Sequence, residues 1–178
     1  MKVTETNLDG CMIIEPKIFG DDRGFFLETY QLDRYKDEAG INFNFVQDNY
    51  SRSEKNVLRG LHFQIEKPQG KLVRVVKGEV LDVAVDLRKD SKSFGDWIMV
   101  NLNENNKKQL WVPPGMAHGF LVISDYADFE YKCTDYYYPE DEGCIIWNDT
   151  TLNISWDIKN PILSDKDSQG ITFKDYTK

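Results

Sequence analysis

The sequence predicts an all-β protein, an antiparallel sandwich or barrel of the jelly-roll kind. Three observations carry this expectation. Short apolar runs of strand length recur along most of the chain and are separated by turn residues. Only one segment has convincing helical spacing. The clearest hairpin runs from Lys71 to Leu87, with Lys77-Gly78 as its turn and a second arm alternating Leu81, Val83, Val85 and Leu87 with Asp82, Ala84 and Asp86. Many short strands with almost no helix point to sheets closed on one another, and a jelly roll can hold a small ligand between them.

Taken in order, Cys11 to Glu15 is a short apolar strand stopped by Pro16, and Gly20 to Gly24 is a turn. A second strand covers Phe25 to Tyr30. Gln31 to Ala39 is the helix, because Leu32, Tyr35 and Ala39 share one face and Gly40 suits a C-cap. Strand signals then recur at 43–47, 57–64, 72–76, 80–87, 97–102, 109–112, 119–123, 129–134 and 145–147. No linker, repeat or low-complexity stretch interrupts residues 1–178, so one domain is expected.

With 178 residues the chain is long enough to bury a core without staples. Its net charge of −8 argues against a general affinity for nucleic acid or an anionic membrane. A local basic pocket for a phosphorylated small molecule is compatible with that charge. The cysteines Cys11, Cys133 and Cys144 are odd in number and lack C-x-x-C spacing, which indicates neither a disulfide framework nor a structural zinc site. There is no secretory leader pattern and no apolar run of membrane-spanning length, so a soluble cytoplasmic protein is expected.

The most informative stretch is Val57-Leu58-Arg59-Gly60-Leu61-His62-Phe63-Gln64. Read as a strand, period two puts His62 with Leu58, Gly60 and Gln64 on one face, and Arg59 with Val57, Leu61 and Phe63 on the other. Polar groups in so apolar a strand need partners, so the stretch either lines a polar cavity or holds a core histidine bonded to backbone. The chain has only one other histidine, His118, and it also sits in an apolar run, Trp111 to Phe120. Side chains that titrate near neutrality are the usual tools of acid–base chemistry, and their confinement to two such segments points to one site.

Several motifs occur in one order over most of the chain: Phe19 to Glu28, Phe45 to Ser51, Val57 to Gln64, Gly70 to Arg74, Pro113 to Phe120, Glu130 to Tyr137, Ile146 to Asp149 and Leu163 to Asp167. In order and spacing they resemble the dTDP-4-dehydrorhamnose 3,5-epimerase family. The resemblance implies a cupin-type jelly roll with one or a few short helices. It further implies that the substrate is dTDP-4-dehydro-6-deoxy-D-glucose, inverted at C3 and C5 beside the C4 ketone to give dTDP-4-dehydro-L-rhamnose for dTDP-L-rhamnose synthesis, with no cofactor or metal. That reaction needs a base, an acid facing it and a cation near the ketone oxygen.

By resemblance His62 is the base, Tyr131 the acid and Asp167 the carboxylate that orients His62. Lys71 and His118 are the candidates for the developing oxyanion. Arg23 and Arg59 match diphosphate-binding arginines, for which a guanidinium fork is well suited. Tyr137 matches the residue that stacks on thymine, and Glu28, Gln47, Asn49, Glu142 and Lys166 match further binding positions. Within Gln47-Asp48-Asn49 the side chains offer donors and acceptors for a pyrimidine edge or a sugar hydroxyl. The resemblance also implies a homodimer whose subunits complete each other's pocket.

Alternatives follow from the same residues. Without the motifs Arg23 reads as a solvated charge, Lys71 as an exposed strand start, and Tyr131 and the run Tyr136 to Tyr138 as packing or surface. Asp82 reads equally as a partner of His118 or as part of a solvated strand face. A relative that inverts only C3 or only C5 is the nearest functional alternative, but His62 and Tyr131 are both present. A non-catalytic nucleotide-sugar-binding cupin would not need that pair. A metal-dependent cupin oxygenase would want more histidines than two.

Overall fold

The alternation of side chains along extended backbone builds two antiparallel sheets that face each other, seen in a computed structural model describing residues 1–178. In chain order the strands are β1 (Lys2–Glu5), β2 (Met12–Glu15), β3 (Ile18–Asp21), β4 (Gly24–Leu27), β5 (Gln47–Glu54), β6 (Leu58–Gln64) and β7 (Lys71–Lys77). They continue with β8 (Glu79–Asp86), β9 (Trp97–Asn103), β10 (Gln109–Val112), β11 (Met116–Val122), β12 (Tyr126–Cys133) and β13 (Glu142–Cys144). The helices are α1 (Leu32–Ala39), α2 (Asp165–Ser168) and α3 (Phe173–Tyr176). One sheet has the order β1-β2-β10-β7-β12-β5 and the other β13-β6-β11-β8-β9, while β3 and β4 form a separate hairpin.

The chain crosses between sheets at almost every turn from β6 onward, which corrects the expected hairpin at Lys77-Gly78. β7 pairs with β10 and β12, whereas β8 pairs with β11 and β9, so the turn joins the two layers rather than two neighbours. Gly78 is required there: it has φ +79°, and a Cβ on it would lie 2.1 Å from the Tyr126 carbonyl oxygen. The run 43–47 is also not a strand. Phe43 and Phe45 pack on Trp111 as irregular chain, and β5 begins only at Gln47. β1 and β3 are additional short strands, and the strand expected at 145–147 lies at 142–144.

Three apolar clusters hold the layers. Val73, Leu110 and Phe129 from one sheet meet Val80, Val100 and Phe120 from the other in the sandwich core. The outer face of the five-stranded sheet is covered by the C-terminal segment, where Leu152, Trp156 and Phe173 pack on Leu61, Val83 and Val85. The outer face of the six-stranded sheet is covered by α1, through Tyr35 and Ala39 against Ile14, Leu72 and Trp111. Gly40 takes the left-handed conformation expected of the C-cap of α1, whereas Gln31, expected as its first residue, is instead the N-cap and accepts from the Arg34 N–H. Both faces of β8 are therefore covered, which removes the solvated-face reading of Asp82.

Candidate active site

Between the sheets, lined from β5, β6, β7, β11 and β12, lies a cavity of about 280 Å³. One wall carries His62 from β6 and His118 from β11, and the other carries Lys71 from β7, Tyr131 from β12, and Gln47 and Asn49 from β5. Arg59 lies on the same wall as His62, although strict period two predicts opposite faces. The cause is local. Gly60 has φ +114°, and the pairing of β6 with β11 shifts register between His118 and Phe120. Leu58, Leu61 and Phe63 all face the outer cluster, and Arg59 and His62 both turn inward. The crossing is too close for side chains: a Cβ on Gly60 would lie 2.6 Å from Gly119 Cα.

His62 is anchored from the C-terminal segment. Its Nε2 is 2.6 Å from Oδ1 of Asp167, which also receives the Gly60 N–H at 3.1 Å, while Oδ2 accepts from the Ser164 hydroxyl at 2.6 Å. Burial would raise the Asp167 carboxyl, but these hydrogen bonds more than offset it and hold the pKa at about 2. A permanent carboxylate at Nε2 fixes the ring proton there and leaves the Nδ1 lone pair free on the side of Glu142, whose Oε1 is 4.0 Å away. A second histidine–carboxylate pair lies deeper: His118 Nε2 is 3.0 Å from both oxygens of fully buried Asp82.

The opposite wall holds the groups that meet no protein partner of opposite charge. Burial lowers the pKa of Lys71, and no carboxylate pairs with its ammonium. Burial also pushes the Tyr131 phenol up to about 12, so it keeps its proton throughout the neutral range. At the mouth, Glu142 accepts from the Tyr137 hydroxyl at 2.8 Å and from Lys166 Nζ at 2.5 Å. Gln47 accepts from the Tyr137 N–H and donates to Asn49. In a chain of net charge −8, the basic side chains of the lining are Arg59, Lys71 and Lys166, against the single carboxylate of Glu142. Such a lining suits a polyanionic ligand.

Four expected site residues lie outside this cavity: Asp167, which sits behind His62 and reaches the site through it, and Asp48, Arg23 and Glu28, which do not touch it. Asp48 points the opposite way from Gln47 and Asn49, as period two in β5 requires, and pairs with Lys132 at 2.9 Å on the outer face. Arg23 sits at the tip of the β3–β4 hairpin with its side chain 89% exposed, held by Asp21. Glu28 follows that hairpin and pairs with Arg34 at 3.3 Å. Conversely, Ser51 and Gln69 line the cavity without having been singled out. Ser51 continues the period of Gln47 and Asn49 and was readable from it. Ser164 and Cys144, beside Asp167 and His62, gave no signal of their own. The cluster His62, Cys144 and Asp167 has ligand atoms within 4.8 Å of one another and is the group that could hold a metal ion.

Comparison with known proteins gives concordant results. Residues 5–175 match the dTDP-4-dehydrorhamnose 3,5-epimerase family. The enzyme of that name from Pseudomonas aeruginosa is 52% identical over 176 residues, covering 98% of this chain and 97% of that one. The crystal structure of the dTDP-6-deoxy-D-glucose-3,5-epimerase of Legionella pneumophila with dTDP-4-keto-L-rhamnose superposes with a TM-score of 0.94. It is 52% identical, covering 97% of this chain and 93% of that one. A 3'-monoepimerase from Streptomyces bikiniensis in complex with dTDP-quinovose superposes at 0.87 with 32% identity, covering 94% and 85% of the two chains.

Proposed function

The chain belongs to the dTDP-4-dehydrorhamnose 3,5-epimerase family, and from that premise we propose how its own residues perform the reaction. The substrate is dTDP-4-dehydro-6-deoxy-D-glucose and the product dTDP-4-dehydro-L-rhamnose, in dTDP-L-rhamnose synthesis. The observation that carries the assignment is the placement of His62 and Tyr131 on facing walls of one cavity, one oriented by a carboxylate and the other keeping its proton.

Nδ1 of His62 takes the proton from a carbon next to the ketone, and the imidazolium that results is stabilised by Asp167. The electrons move to the ketone oxygen, where the Lys71 ammonium, unpaired in the free protein, meets the enolate charge, with His118 beside it. The Tyr131 hydroxyl gives its proton to the carbon from the other side, inverting it. His62 then loses its proton and Tyr131 regains one before the second carbon reacts. Arg59 and Lys166 bind the diphosphate, and Tyr137 with Gln47 and Asn49 receives the nucleoside.

Arg23 and Glu28 take part, in this reading, across a homodimer. The β3–β4 hairpin that carries Arg23 has Phe25 and Phe26 at 58% and 68% exposure, an apolar surface that a second copy would cover. Three unpaired thiols suit a reducing cytoplasm, and no helix of the chain is long and apolar enough to cross a membrane.

The test is NMR of the substrate incubated with purified protein in deuterated water. Deuterium at both C3 and C5 is the expected result. Deuterium at one carbon would make the chain a mono-epimerase, and none would overturn the assignment.

A further inference from the structure

Beside the base lies a thiol that the reaction does not use. In the antiparallel pairing of β13 with β6, Cys144 is directly opposite His62, so the two side chains emerge on the same face. Asp167 reaches the same point from α2, and the ligand atoms of all three lie within 4.8 Å of one another. Bonds to a tetrahedral Zn²⁺ of about 2.0–2.3 Å hold ligand atoms roughly 3.3–3.8 Å apart, so Nε2 of His62 and Oδ1 of Asp167, 2.6 Å apart across a shared proton, must part by about 1 Å as the ion replaces that proton, while Cys144 turns inward. The carboxylate is already fixed by the Ser164 hydroxyl and the Gly60 N–H, the outer support that ligating carboxylates need.

We propose that His62, Cys144 and Asp167 form a binding site for one thiophilic divalent cation, with Zn²⁺ the best match, and that its occupancy switches the epimerase off. The donor set selects the ion: thiolate and imidazole favour zinc over Mg²⁺ or Ca²⁺, which prefer oxygen alone. The two negative ligands balance a dication. On binding, the thiol proton of Cys144 leaves to solvent, the metal takes the Nε2 lone pair of His62, and the ring proton moves from Nε2 to Nδ1. Nδ1 then carries hydrogen and can no longer accept one from carbon. Cys11 and Cys133 are buried elsewhere and belong to no such cluster.

Binding stands on the geometry alone, while the loss of turnover rests on His62 being the base. The experiment measures both on the purified, chelator-treated full chain. Zn²⁺ is titrated by calorimetry and against turnover, Mg²⁺ serves as comparator, and Co²⁺ serves as a spectroscopic probe for thiolate ligation. The expected result is one ion per chain, a thiolate-to-cobalt absorption band, and a chelator-reversible fall in turnover with Zn²⁺ but not Mg²⁺. Cys144→Ala and the size-preserving Cys144→Ser should both lose the band and weaken Zn²⁺ binding by at least about tenfold. Equal Zn²⁺ affinity in wild type and both variants, or a cobalt spectrum without the thiolate band, would overturn the site. Binding at Cys144 without loss of turnover would overturn the switch and count against His62 as the base.

Discussion

Nε2 of His62 stands 2.6 Å from Oδ1 of Asp167, across 105 residues of chain, and that carboxylate is itself held by Ser164 and the Gly60 N–H. Each neighbour fixes the next: Ser164 caps α2 and orients Asp167, and Asp167 sets the tautomer of His62. The lone pair then faces the cavity without rearrangement during the reaction.

From this follows the first prediction. His62→Ala should lower kcat by roughly 10²–10⁴-fold, the usual cost of losing one general base. Asp167→Asn, which keeps the shape but admits the wrong tautomer, should lower kcat with little change in KM. Steady-state kinetics and deuterium uptake at C3 and C5 check both. Near-normal turnover in either variant would sink the dyad as written.

The opposite wall predicts the alkaline limb of the pH profile. Tyr131 keeps its proton up to about 12, whereas burial brings the Lys71 pKa below its ordinary value. Activity should therefore decline, as pH rises, with the loss of the Lys71 charge. Lys71→Arg, which stays charged, should move that decline to higher pH, and Tyr131→Phe should lower kcat without moving it. If the limb shifts in Tyr131→Phe and not in Lys71→Arg, the roles are reversed.

Lys71 should also cost stability in the free protein, because burial disfavours its charged form and no carboxylate repays it. Lys71→Met is expected to raise Tm at neutral pH while turnover collapses. The sign follows from the depressed folded pKa: the unfolded chain binds more protons between the folded and unfolded values, so the wild type gains stability as pH rises through that window. The advantage of Lys71→Met should narrow there, which thermal melts at several pH values would show.

Gly60→Ala should damage both fold and site. The new Cβ would meet Gly119 Cα and the His118 carbonyl at 2.6 Å on a backbone with φ +114°. Strain of that kind costs on the order of 1–3 kcal/mol before the clash is relieved, and relief displaces Arg59 and His62 together. Urea unfolding should show the loss of stability, with kcat and KM both altered. An unchanged midpoint would refute the account of the bulge.

The hairpin supplies the last test. Phe26→Glu puts a charge on the most exposed aromatic of β4, where a second copy is proposed to pack. Sedimentation should show a shift towards monomer, and KM should rise as Arg23 and Glu28 leave the partner's cavity. A dimer of unaltered KM would remove both residues from the site.

The chemistry expected of the site came from short motifs whose order resembles the epimerase family, while local spacing by itself showed less. His62 and His118 stood out as the only two histidines, each in an apolar run, and Leu32, Tyr35, Ala39 and Gly40 announced α1. β5 was missed because its inward face lines a polar cavity, so Gln47, Asn49 and Ser51 show no apolar alternation against Asp48 and Tyr50. Lys77-Gly78 looked like a hairpin turn because a turn's residues state that the chain reverses, not which strand it will pair with.

Pairing, burial and encounter belonged to the tertiary structure. The sequence alone set which residues are apolar, which can titrate and where the backbone can turn. Only the packing of the sheets decided that Asp82 is buried on His118, that Arg59 and His62 share a wall, and that Asp167 and Cys144 both reach His62. The reason is physical. Period and propensity act over a few residues, whereas the field at a titrating group is made by whatever the fold brings within a few ångströms of it.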